Sequence, residues 1–270
     1  MKRRWLRSRK HYPAWQWGVS IIFIVVVVMV IALVGAHIGT KNNTPSPNSN
    51  TYSISTRKNN NWAGYLKYGT SGTAKDMTSV SGDWNEPAIT ADPNYEGASE
   101  WIGIGGYGNF GKDLIQIGTV QDTGPNLGAS GVLHYAFYEC APQLQTRIAA
   151  FSVQTGDQIK ASITQSASGW IMSITNMTNG GTYQTTVSCS PDQSTAEWIL
   201  EDVIPPGQSN DHPATMPSFS TVTFKNLKVN NLAPGNTNLI KAEIADGSKV
   251  LIAPSSLSTE GGSFYIAGTK

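Results

Sequence analysis

The sequence predicts an all-β fold, an antiparallel β-sandwich, and three observations lead there. From Asn61 onward, short apolar and β-branched runs are broken by Gly, Asn and Pro: NWAGYLKY, TSVSGDWNEP, SEWIGIGG, DLIQIGTV, VLHYAFYE, QIKASITQ, WIMSITNM, TYQTTVS, TAEWILED, FSTVTFKNLKV, KVLIAP and SFYIAG. No stretch keeps a helical period for three turns, because Gly or Pro interrupts nearly every window of that length. Charged residues are only 14% of the chain while Gly supplies 27 of its 270 residues, a composition suited to strands and turns. No internal repeat or linker divides residues 61–270, which are expected to form one large domain.

Ahead of that domain the sequence has a different character. Lys2, Arg3, Arg4, Arg7, Arg9 and Lys10 form a basic tail within residues 1–17, followed by an uncharged apolar run in residues 18–36. The eighteen residues from Gly18 to Gly35 at helical rise span about 27 Å, near the thickness of a bilayer core, and Trp15 and Trp17 stand where interfacial aromatics would. The run is read as a transmembrane anchor, with a cleaved signal sequence ending near Val34 and Ala36 as the alternative. Either way the basic end stays in the cytoplasm and the rest is extracellular, anchored or secreted. Residues 37–60, polar and rich in Asn and Pro, read as a flexible linker.

Beyond Asn60 there are ten Lys/Arg against eighteen Asp/Glu, a formal charge of −8 that disfavours a nucleic-acid partner. Two cysteines, Cys140 and Cys189, allow one disulfide in an oxidising compartment but no structural zinc site. Of the four histidines only His134 and His212 lie in the exported domain, and both read as structural residues, so neither metal nor Cys/His chemistry is expected.

Period-2 alternation sorts the motif-bearing strands into faces. In DLIQIGTV, Leu114, Gln116 and Gly118 share one face and Ile115, Ile117 and Thr119 the other. In TAEWILED, Glu197, Ile199 and Glu201 oppose Ala196, Trp198 and Leu200. In VLHYAFYECAP, Tyr135, Phe137, Glu139 and Ala141 share a face, with Ala136, Tyr138 and Cys140 behind them. A carboxylate between apolar neighbours, as at Glu197, is unusual. Glu197 and Glu201 stand about 13 Å apart along a strand, too far for a glycosidase pair. The string GIGGYG at Gly103–Gly108 matches a dinucleotide fingerprint formally, yet leads into another strand and not a helix, so it is read as a turn at a groove rim.

Taken together and in this order, NWAGY, SEWIGIGG, LIQIG, YAFYE and AEWILED resemble the glutamic peptidases, the eqolisin family, over most of residues 61–203. The resemblance implies a sandwich of two long bent sheets, of concanavalin-like or jelly-roll type, and an acid-active, cofactor-free endopeptidase acting on polypeptides as a monomer. It maps the catalytic pair to Glu197 and Gln116, and the substrate cleft to Trp101, Phe137 and Glu139. Gly105 and Tyr135 depart from the family pattern, each standing where fungal members carry an acid. The expected chemistry has Glu197 take a proton from water, Gln116 stabilise the oxyanion, and Glu197 return the proton to the leaving amine, with a bell-shaped pH profile in the acidic range. The alternatives are a glycan-binding surface module, or a glycosidase pairing Glu139 with Glu197 across the sheet.

Overall fold

The structure, a computed structural model, describes residues 54–70, 75–92, 96–107, 113–124, 127, 130–203 and 216–269. The basic tail, the apolar run at 18–36, most of the expected linker and His212 lie outside the described residues. Among the described residues no helix is long and apolar enough to cross a membrane.

The described residues form fifteen strands. They are β1 (Ser55–Asn59), β2 (Trp62–Tyr68), β3 (Ser79–Asn85), β4 (Gly97–Ile104), β5 (Ile115–Thr123), β6 (Val132–Cys140), β7 (Thr146–Arg147) and β8 (Gln158–Ser166). The rest are β9 (Gly169–Asn176), β10 (Thr182–Val187), β11 (Thr195–Asp202), β12 (Val222–Val229), β13 (Leu239–Asp246), β14 (Lys249–Ile252) and β15 (Phe264–Ile266). A nine-stranded sheet runs β1-β13-β2-β11-β4-β5-β6-β7, with β14 also on β13, and a six-stranded sheet runs β10-β9-β8-β3-β12-β15.

The antiparallel expectation is corrected at one place. Ser55–Asn59, read from sequence as linker, form β1, which pairs in parallel with β13. The chain reverses after β1, where Asn59 Oδ1 accepts the backbone N–H groups of Asn61 and Trp62. The returning β2 then pairs with the other edge of β13, so β13 lies between the two arms of the reversal.

The two sheets bury one core between them, including Trp84, Ile102, Ile117, Ile163, Trp198 and Phe224. Trp198 Nε1 donates to the Ser81 carbonyl at 2.9 Å, fixing β11 against β3. The far face of the nine-stranded sheet carries a second buried apolar cluster around Leu66, Trp101, Phe137 and Ile199. Strands β4, β5 and β11 are therefore apolar on both faces, and a polar side chain there is surrounded by hydrophobic neighbours.

Candidate active site

The alternation read from sequence holds on all three motif strands. Ile115, Ile117, Ala136, Trp198 and Leu200 point into the inter-sheet core, while Leu114, Phe137, Tyr135 and Ile199 lie on the far face. Strand register then brings together residues distant in sequence. One ladder row crosses five strands as Leu66, Glu197, Gly103, Gln116 and Glu139. Glu197 and Gln116 thus flank Gly103, two strand spacings or about 9.5 Å apart at the backbone.

Gly103 is the part of the row that its motif did not announce. It lies inside β4 and is not in a turn; the turn belongs to Gly105 and Gly106, both at φ 86°. A β-carbon on Gly103 would stand 2.8 Å from the Trp101 ring and 2.9 Å from a Leu114 methyl, so only hydrogen fits between the two polar side chains. Gly118 in the next row is equally constrained, with a β-carbon 2.6 Å from that of Trp101.

Glu197 is fully buried, and neither carboxyl oxygen has a hydrogen-bond partner of good geometry among the described residues. Burial pushes its pKa up to about 8, outweighing the opposing effect of the Thr195 hydroxyl. Gln116 Nε2 donates to Glu139 Oε2 at 2.9 Å, and its Oε1 is buried without a partner. Burial also raises the Glu139 pKa, with the Gln116 amide opposing the shift. Glu139 and Glu197 are three strands apart, about 14 Å at the backbone with Gln116 between them, which disfavours the glycosidase pairing.

Trp101 and Phe137 flank Gly118 in the adjacent row, beside the pair. Trp101 Nε1 donates to Glu201 Oε2 at 2.7 Å, Asn61 Nδ2 donates to Glu201 Oε1 at 3.0 Å, and Trp62 packs edge-on against Trp101 at 5.0 Å. Burial raises the Glu201 pKa to about 7, against the Trp101 N–H. Beyond Glu197, Tyr68 and Tyr107 meet edge to face at 5.7 Å. Sequence reading missed Gly103, Glu201, Tyr68 and Tyr107 as parts of this site. The parity of NWAGYLKY would have placed Tyr68 on the same face as Leu66. Cys140 and Cys189 are joined as a disulfide, with Cys140 on the core side of β6 behind Glu139.

Residues 60–263 match the model of the Peptidase A4 family. The chain belongs to that family. Scytalido-glutamic peptidase, solved with a transition-state analogue inhibitor, is similar at 20% identity and TM-score 0.61, over 78% of this chain and 98% of that one. SCP-B, an Eqolisin family member solved with the tripeptide Ala-Ile-His, is similar at 19% identity and TM-score 0.57, over 78% and 98%. Aspergilloglutamic peptidase from Aspergillus niger is similar at 22% identity and TM-score 0.51, over 64% and 99%. At these identities the structures show a shared fold. No curated protein matches the chain. As a Peptidase A4 member, the chain is a peptidase of the glutamic type.

Proposed function

We propose that this Peptidase A4 member cleaves polypeptides internally, with Glu197 and Gln116 as the reacting pair. One observation supports this above the others: two polar side chains flank a glycine on an otherwise apolar, buried surface, and both retain polar atoms without partners. Unpaired buried polar groups are costly, and a site that must bind a water and a peptide carbonyl is a reason to keep them.

Burial changes the starting state of the chemistry. Below a pKa of about 8, Glu197 in the free cleft is a neutral carboxyl and not an ionised base. The carboxyl then acts with both oxygens. Its carbonyl oxygen accepts a proton from water as the water oxygen attacks the scissile carbon, and its O–H passes a proton to the scissile carbonyl oxygen. The resulting tetrahedral diol is neutral, and a Gln116 N–H not given to Glu139 donates to it. Collapse reverses the relay: Glu197 protonates the amide nitrogen and takes a diol proton as the C–N bond breaks. Glu197 ends neutral, as it began.

The decisive measurement is the pH dependence of kcat/KM on a peptide, with circular dichroism at each point. A neutral carboxyl requires activity to be present in acid and lost as Glu197 ionises; activity that rises through neutrality to a maximum at pH 8 or above refutes it. Cleavage of a denatured protein by the wild type, absent in Glu197→Gln, tests the assignment itself. From the basic tail and the apolar run we further infer that the domain is displayed outside the cell, which protease shaving of intact cells would test.

A further inference from the structure

The ladder row beside the reacting pair runs from Ile199 through Trp101, Gly118 and Phe137 to Arg147 at the end of the sheet. Arg147 is exposed and shares the cleft face with Phe137, its direct partner on β6. Its guanidinium carbon sits 4.8 Å from the centroid of the Tyr135 ring, a buried ring of the same face whose hydroxyl accepts a hydrogen bond from Gln145 Nε2 at 3.3 Å. The stacking gives a long, otherwise mobile side chain a defined bed.

The charge of Arg147 is answered within the protein only at a distance, by Asp122, whose pKa it lowers against the effect of burial. Among the described residues its side chain makes no ion pair. Two acids of the same face hold hydrogen bonds elsewhere: Glu139 with the Gln116 amide, and Asp122, which also feels the Arg147 charge, with the Tyr135 hydroxyl. The centre of this face carries the acids Glu197, Glu201 and Glu139, and this end carries an exposed planar cation. Three strand spacings separate β7 from Gly103, about 14 Å, which an extended peptide crosses in about four residues, and the reach of an arginine shortens that.

We propose that Arg147 is a subsite for a substrate carboxylate, two to four residues from the scissile bond on the β6 side. The planar fork of an arginine suits a carboxylate better than any neutral polar group. An Asp or Glu side chain and a peptide's own terminus supply the same group. The inference rests on the reading of Glu197 and Gln116 as the reacting pair.

The test uses peptides with one cleavage site at pH 5, carrying Glu or Gln at each position two to four residues from the bond, with free or amidated C-termini. The wild type is expected to favour Glu over Gln about five- to tenfold in kcat/KM at one position, or a free over an amidated end by the same factor. Arg147→Ala removes that preference and leaves the Gln, amidated peptide unchanged, while Arg147→Lys keeps part of it. The same Glu/Gln comparison made as binding to the Glu197→Gln protein is independent of catalysis. No preference in the wild type, or an equal loss on both peptides in Arg147→Ala, overturns the subsite. Cleavage by Glu197→Gln at the wild-type rate instead overturns the reacting pair, and the binding comparison then decides Arg147 alone.

Discussion

Glu197 is held in a place that costs the fold something at neutral pH, a cost that its proposed role in the chemistry would explain. Its raised pKa means that the folded protein keeps a proton which the unfolded chain, with a Glu value of about 4.3, has lost by neutral pH. Stability from this group is complete below about pH 4.3 and is lost as pH rises through about 8. Glu197→Gln is therefore expected to abolish cleavage yet melt at a higher temperature than the wild type at pH 7, with the difference vanishing near pH 4. Thermal unfolding at the two pH values checks this, and a Glu197→Gln protein less stable at pH 7 would contradict the burial argument. Gln116→Ala is expected to lower kcat by about 10²-fold or more, the usual cost of an oxyanion donor, with little change in stability. Near-normal turnover in that variant would remove Gln116 from the reacting pair and leave it a buried structural residue.

Strand β4 carries the spacing of the site. It places Trp101 and Gly103 on the cleft face and buries Ile102 and Ile104 behind them. Glu201 holds the Trp101 indole from β11, so one tryptophan edge is fixed by a hydrogen bond while its ring lies against Gly103. Gly103→Ala must push that ring or Leu114 aside, because the new carbon would lie within 3.0 Å of both. The variant is expected to lose about 1–3 kcal/mol, the range for overpacking, and to lose activity out of proportion to stability. Denaturant unfolding beside kcat/KM separates the two effects; full activity in a folded Gly103→Ala protein would show that the gap between Glu197 and Gln116 is wider than the register implies.

Between the sheets lies a second set of buried acids. Gln121 Nε2 donates to Glu86 Oε1 and to Glu100 Oε2, each at 2.7 Å, and His134 Nδ1 meets Glu86 Oε1 at 2.9 Å. Burial raises both glutamate pKa values, and for Glu100 the Glu86 charge raises it further. With buried Glu197 and half-buried Glu201, four carboxyls hold protons more tightly in the folded state than in the unfolded one. All four contribute in the same direction, so the melting temperature is expected to be higher at pH 4 than at pH 8, the loss beginning above about pH 4.3. A melting temperature equal or higher at pH 8 would refute this. The Cys140–Cys189 bridge closes a separation of 49 residues, for which chain entropy alone gives about 4 kcal/mol. Replacing both cysteines by serine is expected to lower unfolding stability by that order.

Facing was legible because alternation is local: in LIQIG, YAFYE and AEWILED each side chain's face follows from its neighbours two positions away, and Gln116, Glu139 and Glu197 fall on the face that the alternation assigns. The all-β class followed for the same reason, from short runs and frequent turns. Partnership was not legible. Glu197 meets Gly103, Gly103 meets Gln116, and Trp101 meets Glu201 a hundred positions away, through registers that depend on which strands pair. Nor did composition distinguish β1 from a linker, since Ser55–Asn59 are polar and gain order from the edge of β13 and not from an apolar face. Backbone pairing between distant strands, fixed by the whole hydrogen-bond ladder, decided which polar groups share a buried gap, and burial there set the protons they carry.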